Sequence, residues 1–236
     1  MRLDKFICKS TQLTRVEAVA RIQGGDVIVN GDVVVVERTQ VHEDNHIVFN
    51  EQRLQARPFR YLLVHKPVDT ICSNIDEAYP SLFSGLGIAN TSELHVAGRL
   101  DADTTGLVLV TDDGRWSFDI IRPSLACEKV YRVNLSQDIN DDATARLKSG
   151  VQLQGEARLT LPAKLEIVGP KEVLLTIIEG KYHQVKRMFA AVGNRVIGLH
   201  RERVGAVTLD IEEGQWRYLT ADEVNAFISK ANSTDE

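Results

Sequence analysis

The chain has 236 residues, 43% of them hydrophobic, enough for one or two domains with a sizeable buried core. Its formal net charge of -5 excludes a protein that coats nucleic acid by charge alone, so a polyanion would have to meet a local concentration of Lys and Arg. Cys8, Cys72 and Cys127 form no CxxC or Cys/His cluster, and no apolar run is long enough for a bilayer span, so a reduced cytoplasmic setting is expected rather than disulfides, zinc, secretion or membrane insertion.

In chain order, Met1 to Ile7 can form a short helix, and Thr14-Arg15-Val16-Glu17 fits a capping box that starts a second one. Gly24-Gly25 ends that helix. Val27 to Val29 then meets Val33 to Val36 across Asn30-Gly31, a strong hairpin signal. Residues 51–60 are polar, with Pro58 near their end, and read as a linker. Tyr61 to Val64 begins the next strand, closed by His65-Lys66-Pro67. Further strands are expected at Leu107 to Val110, Val130 to Val133, Val173 to Ile178 and Val204 to Leu209, and helices at Ser117 to Ile121, Ala143 to Lys148 and Tyr182 to Val192. Mixed elements without a regular βαβ alternation point to an α+β fold.

Three segments carry chemistry. Gly98-Arg99-Leu100-Asp101-Ala102-Asp103-Thr104-Thr105-Gly106-Leu107 places an acid between a cation and a tight turn, just ahead of an apolar strand. Asp101 is the candidate catalytic carboxylate, although Arg-Leu-Asp by itself would more often be a loop aspartate capping the turn or pairing with Arg99. Tyr131 lies in the strand Glu128 to Val133, where an aromatic can fill core or face a ligand. In Glu179 to Phe189, Val185, Met188 and Phe189 share a core-facing stripe flanked by Lys186 and Arg187. The stretch from Ile178 to Arg203 holds six Lys/Arg against two acids, whereas Val207 to Glu236 holds two against seven. That asymmetry suits a basic groove opposite an acidic back, or simply solvated faces. His183 and His200 fit orienting, hydrogen-bonded roles better than proton shuttles, and neither is assigned to catalysis.

The string GRLDxDTTGL, with HKP before it, EKxYxV at Glu128 to Val133 and HQVKRM at His183 to Met188, resembles the active-site signatures of pseudouridine synthases of the small-subunit rRNA type and their large-subunit relatives. Residues 1–50, through RLDKFI, TRxEA and VNG, resemble the S4 RNA-binding module. Together the resemblances cover Met1 to about Asp222. They imply an S4-like domain at 1–50, a linker at 51–60 and a catalytic domain at 61–236 built on a mixed, mainly antiparallel sheet. Asp101 would be the catalyst, with Arg99, Tyr131 and Lys186 in support: the tyrosine packs against the target base, and the lysine pairs with the acid. Arg2, Lys5, Lys9, Arg15 and Arg21, with Arg187 and Arg201, are the candidate RNA contacts, though several could be ordinary surface.

The stretches HQVKRMFAAVG and LHRERVG favour the subtype acting on uridine 516 of 16S rRNA. The expected partner is that rRNA or a small-subunit assembly intermediate, met by a monomer that needs no cofactor or metal. A synthase for a 23S rRNA uridine, or a noncatalytic S4 assembly factor, are the alternatives.

Overall fold

The computed structural model describes residues 1–42 and 44–232; the last four residues of the acidic C-terminal stretch lie outside it. The chain divides into two compact units, Met1–Phe59 and Arg60–Glu236.

In the first unit α1 (Leu3–Ser10) and α2 (Arg15–Gln23) precede the strands β1 (Val27–Val29), β2 (Asp32–Val33), β3 (Ile47–Phe49) and β4 (Gln52–Arg53). The sheet order is β2-β1-β3-β4, antiparallel throughout. The expected capping box starts α2: Thr14 accepts from the Glu17 amide, while the Glu17 carboxylate accepts from the Thr14 amide at 2.8 Å. Leu3, Phe6 and Ile7 of α1 and Ile22 of α2 bury themselves with Val27, Ile47 and Phe49.

Two expectations change here. The hairpin forms across Asn30-Gly31, both at positive φ, but its second arm pairs no further than Val34, whose amide donates to the Val27 carbonyl, leaving Val35 and Val36 exposed. Residues 51–60 are not a free linker, because β4 completes the sheet and Leu54 and Ala56 pack on its core. Polar composition concealed this, since β4 is a short edge strand whose own two side chains face solvent.

The second unit runs β5 (Tyr61–Lys66), β6 (His95–Ala97), β7 (Thr105–Thr111), α3 (Gly114–Ile121), β8 (Lys129–Leu135), α4 (Asp141–Ser149), β9 (Lys164–Gly169), β10 (Glu172–Ile177), α5 (Gln184–Ala191), β11 (Val196–Val204), β12 (Val207–Thr208), β13 (Trp216–Tyr218) and α6 (Ala221–Asn232). Its nine-stranded sheet has the order β13-β5-β7-β11-β8-β10-β9, with β6 added to β7 and β12 to β11. Every pairing is antiparallel except β7 with β11, so the sheet is mixed and mainly antiparallel.

Both faces of β7 are buried, which explains its unbroken apolar run. Val108 and Val110 join Leu62, Val64, Val133 and Leu175 under Val185, Met188 and Phe189 of α5. Leu107 and Leu109 join Leu63 and Val204 under Trp116 and Ile120 of α3 and Phe227 of α6. The apolar run at Val204 to Leu209 is not one strand: it holds the end of β11, a turn at Gly205-Ala206 against which Phe227 packs, and β12. Most of β11 escaped notice because His200, Arg201, Glu202 and Arg203 break its hydrophobic pattern. Among the described residues, no helix is long and apolar enough to cross a membrane.

Candidate active site

The loop joining β6 to β7 carries Asp101. It turns tightly, with the Thr104 amide donating to the Asp101 carbonyl at 3.1 Å, as small hydroxylated residues favour. Two cations hold it from beneath. Lys66, fully buried at the end of β5, donates through Nζ to the carbonyls of Pro67, Ala102 and Thr104 at 2.9, 3.1 and 2.9 Å. Burial pushes its pKa down from the ordinary lysine value. Arg201 of β11, 1% exposed, reaches the two ends of the loop, donating through Nη2 to the Gly98 carbonyl at 2.8 Å and through Nε to the Leu107 carbonyl at 2.7 Å.

That grip needs β7 and β11 to run very close. Gly106, at φ +112°, has the Arg201 backbone where a side chain would go: an added Cβ would stand 2.3 Å from the Arg201 carbonyl oxygen. Gly106 therefore serves close strand packing rather than the turn.

Above this floor the Asp101 carboxylate faces two groups from α5 and its approach. Lys186 Nζ donates to Asp101 Oδ2 at 3.0 Å and to Asp103 Oδ1 at 2.6 Å. His183 Nε2 lies 3.3 Å from Asp101 Oδ1. Burial disfavours the Lys186 ammonium, but the hydrogen bonds and charges of Asp103 and Asp101 outweigh it and raise the pKa above the usual lysine range. Burial likewise opposes ionisation of Asp103, yet Lys186 holds its carboxyl below the usual range.

A cleft of about 460 Å³ opens over the acid, lined by Arg99, Asp101, Tyr131, His183, Lys186 and Arg201 among others. Tyr131 of β8 stands directly across the ladder from Arg201, whose Nη1 donates to its hydroxyl at 3.4 Å. The tyrosine is 7% exposed and turns toward the cleft. The site thus combines a carboxylate held by a cation with a flat aromatic wall, an arrangement able to bind a planar ring and act on an atom beside it.

The 132 residues 60–191 match the family described as RNA pseudouridylate synthase. Across the full chain, a ribosomal small subunit pseudouridine synthase A of Vibrio cholerae is 47% identical over 226 residues, covering 95% of this chain and 98% of that one. The chain belongs to the RNA pseudouridine synthase family. The protein of the same name from Escherichia coli is 44% identical to this synthase over 231 residues, covering 97% of this chain and all of its relative. A crystal structure of a pseudouridylate synthase superposes with a TM-score of 0.70 at 44% identity, covering 96% of this chain and 99% of that one.

Within the synthase, Asp101, Tyr131 and Lys186 come together as expected. Arg99 lines the same cleft but is exposed, and among the described residues it makes no ion pair; Asp101 pairs with Lys186 instead. Three candidate RNA contacts require correction. Arg201 is buried and bound to backbone carbonyls. Lys9 is 7% exposed, its ammonium lying 3.1 Å above the Phe59 ring, so its charge is taken up by an aromatic face. Arg187 is engaged by the chain, donating to the carbonyls of Gln154 and Tyr182 at 2.5 and 2.9 Å.

Of the rest, Arg2 and Arg15 converge on the fully buried Asp4, Arg21 pairs with Asp26, and Lys5 is exposed. Lys66, His183 and Asp103 lie in the recognised motifs but were given no catalytic role. For Lys66 a signal existed, a lysine ending the otherwise apolar strand Tyr61 to Lys66; the contacts of His183 depend on tertiary register.

Proposed function

We propose that the synthase converts one uridine of small-subunit rRNA, uridine 516 of 16S rRNA, to pseudouridine, with Asp101 as the essential carboxylate. The observation that carries this reading is the Asp101–Lys186 pair in a cleft walled by Tyr131, in a chain whose small-subunit relatives match nearly end to end.

The reaction is an isomerisation. The N1–C1′ bond of uridine breaks, the base turns while held, a C5–C1′ bond forms, C5 loses its proton and N1 gains one. No redox partner or group donor enters the balance. Asp101 begins the sequence by attacking C1′ or C6, or by taking the C2′ proton, and each route needs it ionised. Lys186 sets its ammonium against that carboxylate, 3.0 Å from Oδ2. Tyr131 offers its ring to the base, which has to leave its own stack to reach the acid.

Residues 1–50 act in this reading as an S4-like docking module, through Arg2, Lys5, Arg15 and Arg21, with residues 61–236 as the catalytic domain. The partner is 16S rRNA or an assembly intermediate containing it, the protein acts as a monomer, and no cofactor takes part.

The test is to map pseudouridine in rRNA from a deletion strain restored with wild-type protein or with Asp101→Asn. Restoration at 16S position 516 by the wild type and not by the variant is the expected result. Modification appearing only in 23S rRNA would overturn the target, and product from Asp101→Asn would overturn the catalyst.

A further inference from the structure

Tyr182 is 75% exposed, the most solvent-open aromatic among the described residues. One face of the ring is covered by another ring: Tyr182 stacks on His183 with centroids 3.8 Å apart and planes inclined by 20°. His183 in turn lies 3.3 Å from Asp101. Carboxylate, imidazole and phenol are therefore consecutive layers, and both rings line the same cleft as Asp101. The outer face of Tyr182 is left open, and among the described residues its hydroxyl makes no hydrogen bond.

The shelf is fixed before anything binds. His183 has a left-handed backbone, φ +47°, which an L-residue holds only where its surroundings impose it. The surroundings are visible. The Gln184 side chain accepts from the Lys181 amide at 2.8 Å, the Gln184 amide donates to the Lys181 carbonyl at 3.2 Å, and Arg187 grips the Tyr182 carbonyl at 2.9 Å. Arg187, expected to touch RNA itself, instead holds the turn that presents the ring. A ring held this way loses little freedom on binding.

A flat aromatic face beside a reactive carboxylate, backed by a second ring and pinned from below, fits a nucleobase better than an aliphatic group, because every base offers a π-face and stacking does not depend on its edge. Resting on the reading of this chain as an rRNA uridine isomerase, we propose that Tyr182 is the stacking platform for the base of the nucleotide adjoining the target uridine, and so positions the strand once the target base has turned into the cleft. The platform lies one layer beyond the partner of Asp101, so a neighbour of the target, not the target itself, meets it. Tyr131 remains the wall for the target base.

The experiment is a double-mutant cycle between protein and RNA, read as binding. The probe is a fragment of small-subunit rRNA containing the target uridine, either intact or abasic at the nucleotide on one side or the other. Tyr182→Ala should raise the Kd for intact RNA by about 5- to 150-fold, the range that loss of one base–aromatic stack gives. Tyr182→Phe should restore affinity and Tyr182→Leu should not, since Leu is apolar but not planar. An abasic site at one of the two flanking positions should weaken the wild type by a similar factor and Tyr182→Ala hardly at all.

Unchanged affinity in Tyr182→Ala, additive losses at both flanking positions, or full rescue by Leu would overturn the proposal. So would a variant that binds normally but turns over slowly at saturating RNA, since Tyr182 would then merely brace His183. If the wild type binds this RNA with the expected cycle but forms no pseudouridine in it, the platform stands and the assigned reaction fails.

Discussion

Two cations in each unit are used in opposite ways. In the N-terminal unit Arg2 and Arg15 keep much of their guanidinium in water and share one buried acid, Asp4, which leaves the cluster with one positive charge in excess. In the larger unit Lys66 and Arg201 are buried and, among the described residues, bind backbone carbonyls without an acid partner. A carbonyl does not discharge a cation as a carboxylate does, so this arrangement tolerates desolvation for the sake of geometry. It fixes the Asp101 loop at three backbone positions, Gly98, Ala102 and Thr104, and the start of β7 at Leu107, while leaving the carboxylate itself to Lys186 and His183. Residue type alone does not tell the two uses apart; burial and the kind of acceptor do.

Arg201→Ala should show the contrast most strongly. It strips hydrogen bonds from the Gly98 and Leu107 carbonyls and leaves a cavity in the sheet, which together should cost about 3–5 kcal/mol in a urea titration, against less than about 1 kcal/mol for Arg15→Ala. Equal losses would show that the buried cations do not anchor the loop. Next is Gly106→Ala. Its methyl would overlap the Arg201 backbone at an unfavourable φ, so separation of β7 from β11 should cost about 2–4 kcal/mol. Because that separation also loosens the Arg201 grip, turnover should fall further than stability explains. A variant with normal stability and rate would mean the strands can part without consequence.

These residues also mark how far the sequence was legible. The capping box at Thr14 and Glu17, the Asn30-Gly31 turn, the unbroken apolar run of β7 and the period-two patterning of β8 and β10 follow from local chemistry, and they appear close to where expected. Asp101 and Tyr131 were recoverable from their motifs. The reach of Arg201 was not, because it depends on a parallel pairing of β11 with β7 between segments 95 residues apart. Gly106 looked like a turn glycine for the same reason: its neighbour across the ladder is not written nearby. Lys9 and Arg187 were read as RNA contacts because a long stem hides in sequence where its head ends.

A smaller effect probes the N-terminal side of the comparison. If Arg2 and Lys5 meet RNA phosphates, replacing both with Gln should flatten the plot of log affinity against log salt by about 0.7 to 0.9 per lost contact, with the single-turnover rate on saturating rRNA little changed. Binding measured from low to moderate salt would show it. An unchanged slope would mean that Arg2 and Lys5 meet no phosphate and that RNA is held elsewhere.

The smallest expected effect lies on the rung beside Arg201. His200 pairs across the ladder with Thr105, whose hydroxyl is 2.7 Å from His200 Nδ1, and its ring meets that of His65 edge-on with centroids 5.3 Å apart. Burial first, then the neighbouring His65, lowers the His200 pKa below the usual histidine value, while Glu202 and Glu213 pull it up and Arg132 pushes it down. The unfolded chain therefore binds this proton more readily than the folded one. The stabilisation is present above the ordinary histidine pKa of about 6.5 and is lost as pH falls through the lower folded value. Thermal melts from pH 7.5 down to about pH 5 should show wild type losing more stability than His200→Gln, which cannot titrate. Parallel losses would place the acid sensitivity elsewhere, whereas a steeper loss of turnover than of stability would show that Thr105 transmits the charge on His200 to the loop that holds Asp101.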